Sequence, residues 1–254
     1  MIEVKELTFS YGRVPVLCGL SFTLAPGELC SVVGVNGCGK TTLLSLLSRR
    51  LSPSGGTIEV DGRRAESYSS KEYARKISLL SQERQVSNMA VADYVAAGRY
   101  PYVGFSGRMT REDENAVACA VKAAGIEAFL HKRLTELSGG ERQRVYFALL
   151  MAQDTPYVLM DEPCSHLDLP SAVALNGLVS ALRDSGKAVL SVSHDLSAAM
   201  KCSDRILLLD RGRLVYDGVP DSEECFDGLE RVFGVCCHKV SVDGQIEYFF
   251  KKDL

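Results

Sequence analysis

The chain has 254 residues, 46% hydrophobic, 24% charged and 7% aromatic, with 29 basic against 32 acidic side chains and a net charge of −3. That length admits one large α/β domain or a core with a subdomain, and the balanced composition excludes a disordered or fibrous chain. The slight acidity leaves no general basic footprint, so no nucleic-acid partner is expected.

The apolar run at residues 145–152 falls well short of the roughly 18 residues that span a bilayer. The opening Met1-Ile2-Glu3-Val4-Lys5 lacks the basic-then-apolar order of a secretion signal. The expectation is a chain that neither crosses a membrane by itself nor enters a secretory pathway. The nine cysteines are scattered and show no CxxC spacing, which predicts reduced thiols in a cytosol. Cys236-Cys237, beside His238, would point to opposite faces of a strand and so reads as a pair of ordinary small residues, not a chelating pair.

In chain order, apolar stretches at 2–8, 20–24, 29–33, 57–60 and 77–80 are strand-length and bounded by turn residues, among them Pro26-Gly27 and Asp61-Gly62. From about residue 88 to 152 the texture changes. Residues 92–97, 115–130 and 141–152 are rich in Ala and Leu without strand-like alternation, which predicts a mostly helical insertion. Strand-like runs return at 157–160, 188–192 and 205–209, with helical sequence at 171–183. Alternating strands and helices predict an α/β fold, a parallel sheet covered by helices. Asp243-Gly244, between 240–242 and 246–250, predicts a C-terminal hairpin. There is no internal repeat.

Gly34-Val35-Asn36-Gly37-Cys38-Gly39-Lys40-Thr41 fits GxxxxGK[ST], the P-loop, between the strand run 29–33 and a helical run opening at Thr41-Thr42. Glycines let backbone N–H groups curl around phosphate oxygens, and the helix N-terminus adds partial positive charge. Lys40 is expected to reach the β- and γ-phosphates of ATP and Thr41 to ligate Mg²⁺. The thiol of Cys38, beside Lys40 and a helix N-terminus, is expected to have a lowered pKa, so that alkylation blocks ATPase activity and MgATP protects. The alternative is a cysteine that merely replaces serine sterically.

Residues 157–160 run straight into Asp161-Glu162. Two carboxylates ending a buried strand are costly unless a metal or hydrogen bonds meet them. Asp161 is expected to serve the magnesium and Glu162 to polarise the attacking water. His194 ends the run 188–193, where a parallel neighbour strand would place it near the γ-phosphate. Leu137-Ser138-Gly139-Gly140-Glu141 reads as a capping box, Ser138 with Glu141, that starts a helix. Two glycines in the first turn weaken a helix, yet with the serine hydroxyl and the helix dipole they make a second anion site. One chain cannot easily bring both anion sites to the same phosphate. The consistent solution is a head-to-tail homodimer in which each subunit's 138–140 covers the other's nucleotide.

These residues resemble the ATP-binding cassette family over essentially the whole chain. The resemblance implies a P-loop NTPase (RecA-like) core at residues 1–87 and 153–218, with an antiparallel β part near the N-terminus. It also implies a helical signature subdomain at 88–152 and a C-terminal helix and hairpin extension at 219–254. Tyr11, 29 residues before Lys40, is similar to the aromatic that stacks on adenine. Gln82 resembles the Q-loop glutamine, linked to Mg²⁺ and to the helical lobe. Ser165-His166-Leu167-Asp168 resembles the D-loop, with Asp168 among the nucleotide-site residues, and His194 the switch histidine. Glu141 and Cys38 depart from the commoner glutamine and serine. Gly98-Arg99-Tyr100-Pro101, Gln153-Asp154-Thr155-Pro156 and residues 229–235 further resemble importer cassettes for iron–siderophores, haem and cobalamin.

The resemblance implies an ATPase subunit on the inner face of the cell membrane. Its partners would be integral membrane permease subunits and, indirectly, a substrate-binding protein. A non-transport cassette ATPase, such as one of iron–sulfur cluster assembly, is the alternative. DNA-repair cassettes carry a long coiled coil, translation cassettes usually carry two copies, and a P-loop kinase leaves the signature loop unexplained. The cargo lies beyond the sequence, because the cassette does not touch it.

Overall fold

The computed structural model describes residues 1–82, 86–104, 107–165, 167–242 and 245–252. At the N-terminus, Ile2, Val4, Leu7 and Phe9 are buried along β1 (Ile2–Tyr11), which pairs antiparallel with β2 (Val14–Leu24). The register slips after Val4, where Glu6 takes a φ of +47°, and two nominally alternating patterns are bent around a common core. The next strand, β3 (Leu29–Gly34), is buried at every position, as a strand covered on both faces must be. It feeds α1 (Lys40–Leu47).

The chain then returns to the first sheet through β4 (Gly55–Val60) and the two-residue β5 (Arg63–Arg64). Asp61 and Gly62 between them have φ of +52° and +73°, the twist a two-residue hairpin needs. After α2 (Ser70–Ala74) comes β6 (Ile77–Leu80), matching the predicted strand. The insertion contributes α3 (Val91–Ala96), α4 (Arg111–Ala124) and α5 (Gly139–Gln153). The helix expected to run through 115–130 stops at Gly125, a left-handed C-cap with φ +61°, and 127–129 form a separate 3₁₀ turn.

β7 (Tyr157–Asp161), α6 (Leu169–Asp184), β8 (Ala188–Val192), α7 (Leu196–Cys202), β9 (Arg205–Asp210) and β10 (Arg213–Gly218) complete the central unit. α8 (Glu223–Phe233) and the antiparallel pair β11 (Cys236–Val242) and β12 (Gln245–Lys251) follow. The expected turn residues Asp243-Gly244 lie outside the described residues. β5, α2, α7 and β10 have no counterpart among the elements expected from sequence, because they are short or carry little apolar periodicity.

Strand order in the central sheet is β10-β9-β3-β8-β7-β6, parallel except for the β9–β10 pair, and the first sheet runs β2-β1-β4-β5. One core lies between these sheets around α1 and includes Leu17, Leu43, Leu47, Ile58 and Leu190. A second covers the other face of the central sheet and reaches the insertion, joining Val158, Met160 and Val189 to Val95, Val121 and Phe147. The placement that matters is β8, which sits between β3 and β7. It brings the carboxyl ends of all three strands side by side. Among the described residues no helix is long and apolar enough to cross a membrane.

Candidate functional site

The loop after β3 is shaped by glycines, two of which leave no room for a side chain. Gly34 has a φ of +156°, and a Cβ there would meet the Leu209 carbonyl oxygen at 2.3 Å. Gly39, at φ +109°, caps α1 and would drive a Cβ to 2.5 Å from Leu17. Gly37 also has positive φ, at +79°. The loop is braced from outside: Gly212 in the β9–β10 turn donates its N–H to the Cys38 carbonyl at 3.2 Å, and its own carbonyl accepts from Cys18 N–H at 2.8 Å. Gly212 carries no expectation from the sequence, although Arg211-Gly212 is a two-residue turn signal between apolar runs.

Lys40 is buried and donates from Nζ to the carbonyls of Gly34 (2.7 Å) and Val35 (3.1 Å). Its ammonium is thereby held over the loop that Val35, Asn36 and Gly37 expose. Thr41 and Thr42 follow in the first turn of α1. Cys38 departs from expectation. Only 3% of it is exposed, and burial pushes its thiol above the ordinary range, with Lys40 offsetting only part of that. The α1 N-terminus and Lys40 therefore do not lower the thiol below its ordinary range here; the physical reason is desolvation of the charged form.

Across β8, the end of β7 presents the two carboxylates. Asp161 is 4% exposed and accepts from Thr41 Oγ1 at 3.5 Å, and burial raises its carboxyl above its usual range. A threonine hydroxyl and a desolvated carboxylate are hard oxygen donors of the kind Mg²⁺ takes, and a cation there would offset the carboxylate's desolvation. These residues fit the ion.

Glu162 sits at φ +50°, a left-handed conformation rarely adopted by a side chain of this kind. Its N–H donates to the Val192 carbonyl at 3.1 Å, and its carbonyl accepts from Ser165 N–H (3.2 Å) and Oγ (3.0 Å). The turn aims the carboxylate between two neighbours. Gln82 Nε2 donates to Oε2 at 2.9 Å, and His194 Nε2 lies 2.5 Å from Oε1. Three residues widely separated in sequence are thus brought together.

Ser138 is the N-cap of α5. Its hydroxyl accepts from Glu141 N–H (3.3 Å), and Glu141 Oε2 accepts from Ser138 N–H (2.8 Å), so the expected capping box is complete. That backbone hydrogen bond holds the Glu141 carboxyl below its usual range. Ser138 and Gly139 are exposed and Gly140 is half-buried. Arg142 donates to the Leu137 carbonyl at 2.8 Å and steadies the approach to the cap. Asp168 N-caps α6, its carboxylate accepting from Ser171 N–H at 3.3 Å. His166 lies outside the described residues. Tyr11 ends β1 with 55% of its surface exposed, its ring edge-on to Phe9 at 4.8 Å between centroids.

A phosphate-binding loop at the carboxyl edge of a parallel sheet, with strand-end carboxylates facing it across one strand, is the architecture of a P-loop ATPase. The profile of the ABC transporter family matches residues 17–165, more than half of the chain, and the chain belongs to that family as one of its ATPases. It is 37% identical to the ferric enterobactin transport ATP-binding protein FepC of Escherichia coli strain K12, over 92% of this chain and 87% of that one. It is 36% identical to the petrobactin import ATP-binding protein YclP of Bacillus subtilis strain 168, over 96% and 97%. The hemin import ATP-binding protein HmuV of Bordetella pertussis is 34% identical over 92% of each. Among solved structures, a metal-chelate type ABC transporter in an inward-facing conformation superposes with a TM-score of 0.84 at 25% identity, covering 98% of this chain and 96% of that one. A dimeric bacterial ABC transporter cassette gives 0.77 at 25% identity, covering 87% and 100%.

Proposed function

We propose that this chain energises an importer for an iron chelate, siderophore or haem, docking from the inner face of the membrane onto permease subunits encoded separately. The names of FepC, YclP and HmuV, matched along nearly their whole length, support that cargo class. In this reading residues 1–87 and 153–218 form the catalytic core, 88–152 the lobe that meets the permease, and 219–254 an extension.

Two copies close head to tail around two ATP molecules. Tyr11 stacks on the base, the N–H groups of residues 35–42 and the Lys40 ammonium hold the phosphates, and residues 138–140 and Asp168 approach from the other chain. Thr41, Asp161 and Gln82 would hold the Mg²⁺, which supplies charge neutralisation on the phosphates. Glu162 takes the proton of the attacking water, and His194 and Gln82 orient it by engaging one carboxylate oxygen each.

The observation that carries this reading is the convergence of Gln82 and His194 on Glu162, one strand removed from β3, which ends at the P-loop. Glu162→Gln should keep ATP binding and ATP-driven dimerisation, read by size-exclusion chromatography, while cutting turnover by about 10²-fold or more. Native turnover in that variant would remove Glu162 as the base.

A further inference from the structure

The first turn of α5 meets the Glu162 turn as well as solvent. Gln143 Nε2 donates to the Pro163 carbonyl at 2.7 Å, and Pro163 directly follows Glu162. Gly140, three positions earlier, lies on the same face of the helix. A Cβ on it would come within 2.9 Å of Ser171 Oγ in the first turn of α6. One face of the α5 tip therefore rests on the segment that follows the catalytic strand, while Ser138 and Gly139 stay exposed.

The Glu162 turn is held in its left-handed conformation by Val192 and Ser165. Proline stiffens the link onward, since its ring fixes φ. The Gln143 amide is thus one hydrogen bond and one residue away from the Glu162 carboxylate.

We propose that Gln143 is a positioning residue that ties the signature end of α5 to Glu162 of the same chain, so that nucleotide engaged by residues 138–140 sets the geometry of that chain's own general base. The proposal rests on the head-to-tail dimer reading above. In that dimer the α5 tip serves the partner's nucleotide while Gln143 reports to the base on its own side. The two composite sites are thereby linked, and the linkage is reciprocal in binding. Misplacing a reacting group by about 1 Å can cost ~10²-fold in rate, so a small helix displacement is enough.

The test is Gln143→Met, which keeps chain length and removes the N–H donor. The native ATPase rate should rise sigmoidally with ATP. In Gln143→Met, kcat should fall about tenfold and the curve become hyperbolic, while the Glu162→Gln, Gln143→Met double variant dimerises with ATP as the Glu162→Gln parent does. Native kcat and sigmoidality in Gln143→Met, or a hyperbolic native curve, would overturn the link. Loss of dimerisation in the double variant would mark Gln143 as structural and overturn it equally. If Glu162→Gln alone does not dimerise with ATP, the dimer reading itself fails, a result distinct from the others.

Discussion

Asp161 carries a conflict between stability and chemistry. Burial raises its carboxyl above the ordinary value, so the folded state binds a proton more readily than the unfolded chain. The sign follows directly: the penalty appears as pH rises through the unfolded value near 4 and is fully present at neutral pH. Asp161→Asn should therefore raise the Tm of the nucleotide-free protein at pH 7 by a few degrees while abolishing turnover. The gain should vanish below about pH 4. A lower Tm at neutral pH, measured by circular dichroism, would contradict this. Among single residues, Lys40, Asp161 and His194 were legible from their neighbours in sequence. The state of Cys38 was not, because burial among Gly34, Lys40 and the β9–β10 turn outweighs the local charge.

At the scale of elements, the insertion is pinned by a buried ion pair. Arg99 donates from Nε to Asp113 Oδ1 at 2.9 Å and from Nη1 to the Ala152 carbonyl at 3.0 Å, and its guanidinium lies 3.7 Å from the Tyr102 ring centroid. It joins the segment after α3 to the start of α4 and the end of α5. The Thr110 N–H, then its hydroxyl and Arg99, hold the Asp113 carboxyl below its usual range despite burial. That stabilisation is present above the unfolded value and lost as pH falls through the lower folded one. Arg99→Met leaves a buried carboxylate without its cation, and should cost about 3–5 kcal/mol by urea unfolding at pH 7. The difference from the native protein should narrow below about pH 4; an unchanged urea midpoint at pH 7 would refute the argument. The sequence showed Arg99 only as part of a family-like tetrapeptide, since a buried pair 14 residues apart has no local periodicity.

For the whole molecule, the second core is shared between the central sheet and the insertion. Val158, Met160 and Val189 from the strands pack in one cluster with Val95, Val121 and Phe147 from the helices. The lobes are thus expected to unfold together. Circular dichroism and tyrosine fluorescence should report one coincident thermal transition, and two well-separated transitions would show that the lobes are independent.

Sequence alone specified the phosphate loop, the strand-end carboxylates and the capping box that starts α5, because each depends on residues within about one turn or strand of one another. It also determined most strands of the central sheet, since buried parallel strands read as continuous apolar runs. The tertiary structure alone decided that β8 lies between β3 and β7, that Gln82 and His194 meet on Glu162, that Gly212 braces the P-loop and that Gln143 reaches Pro163. The physical reason is one of range. Glycine freedom, caps and strand burial act on neighbours along the chain, whereas hydrogen bonds such as Gln143–Pro163, Gln82–Glu162 and Gly212–Cys38 exist only once packing has chosen which strands are adjacent.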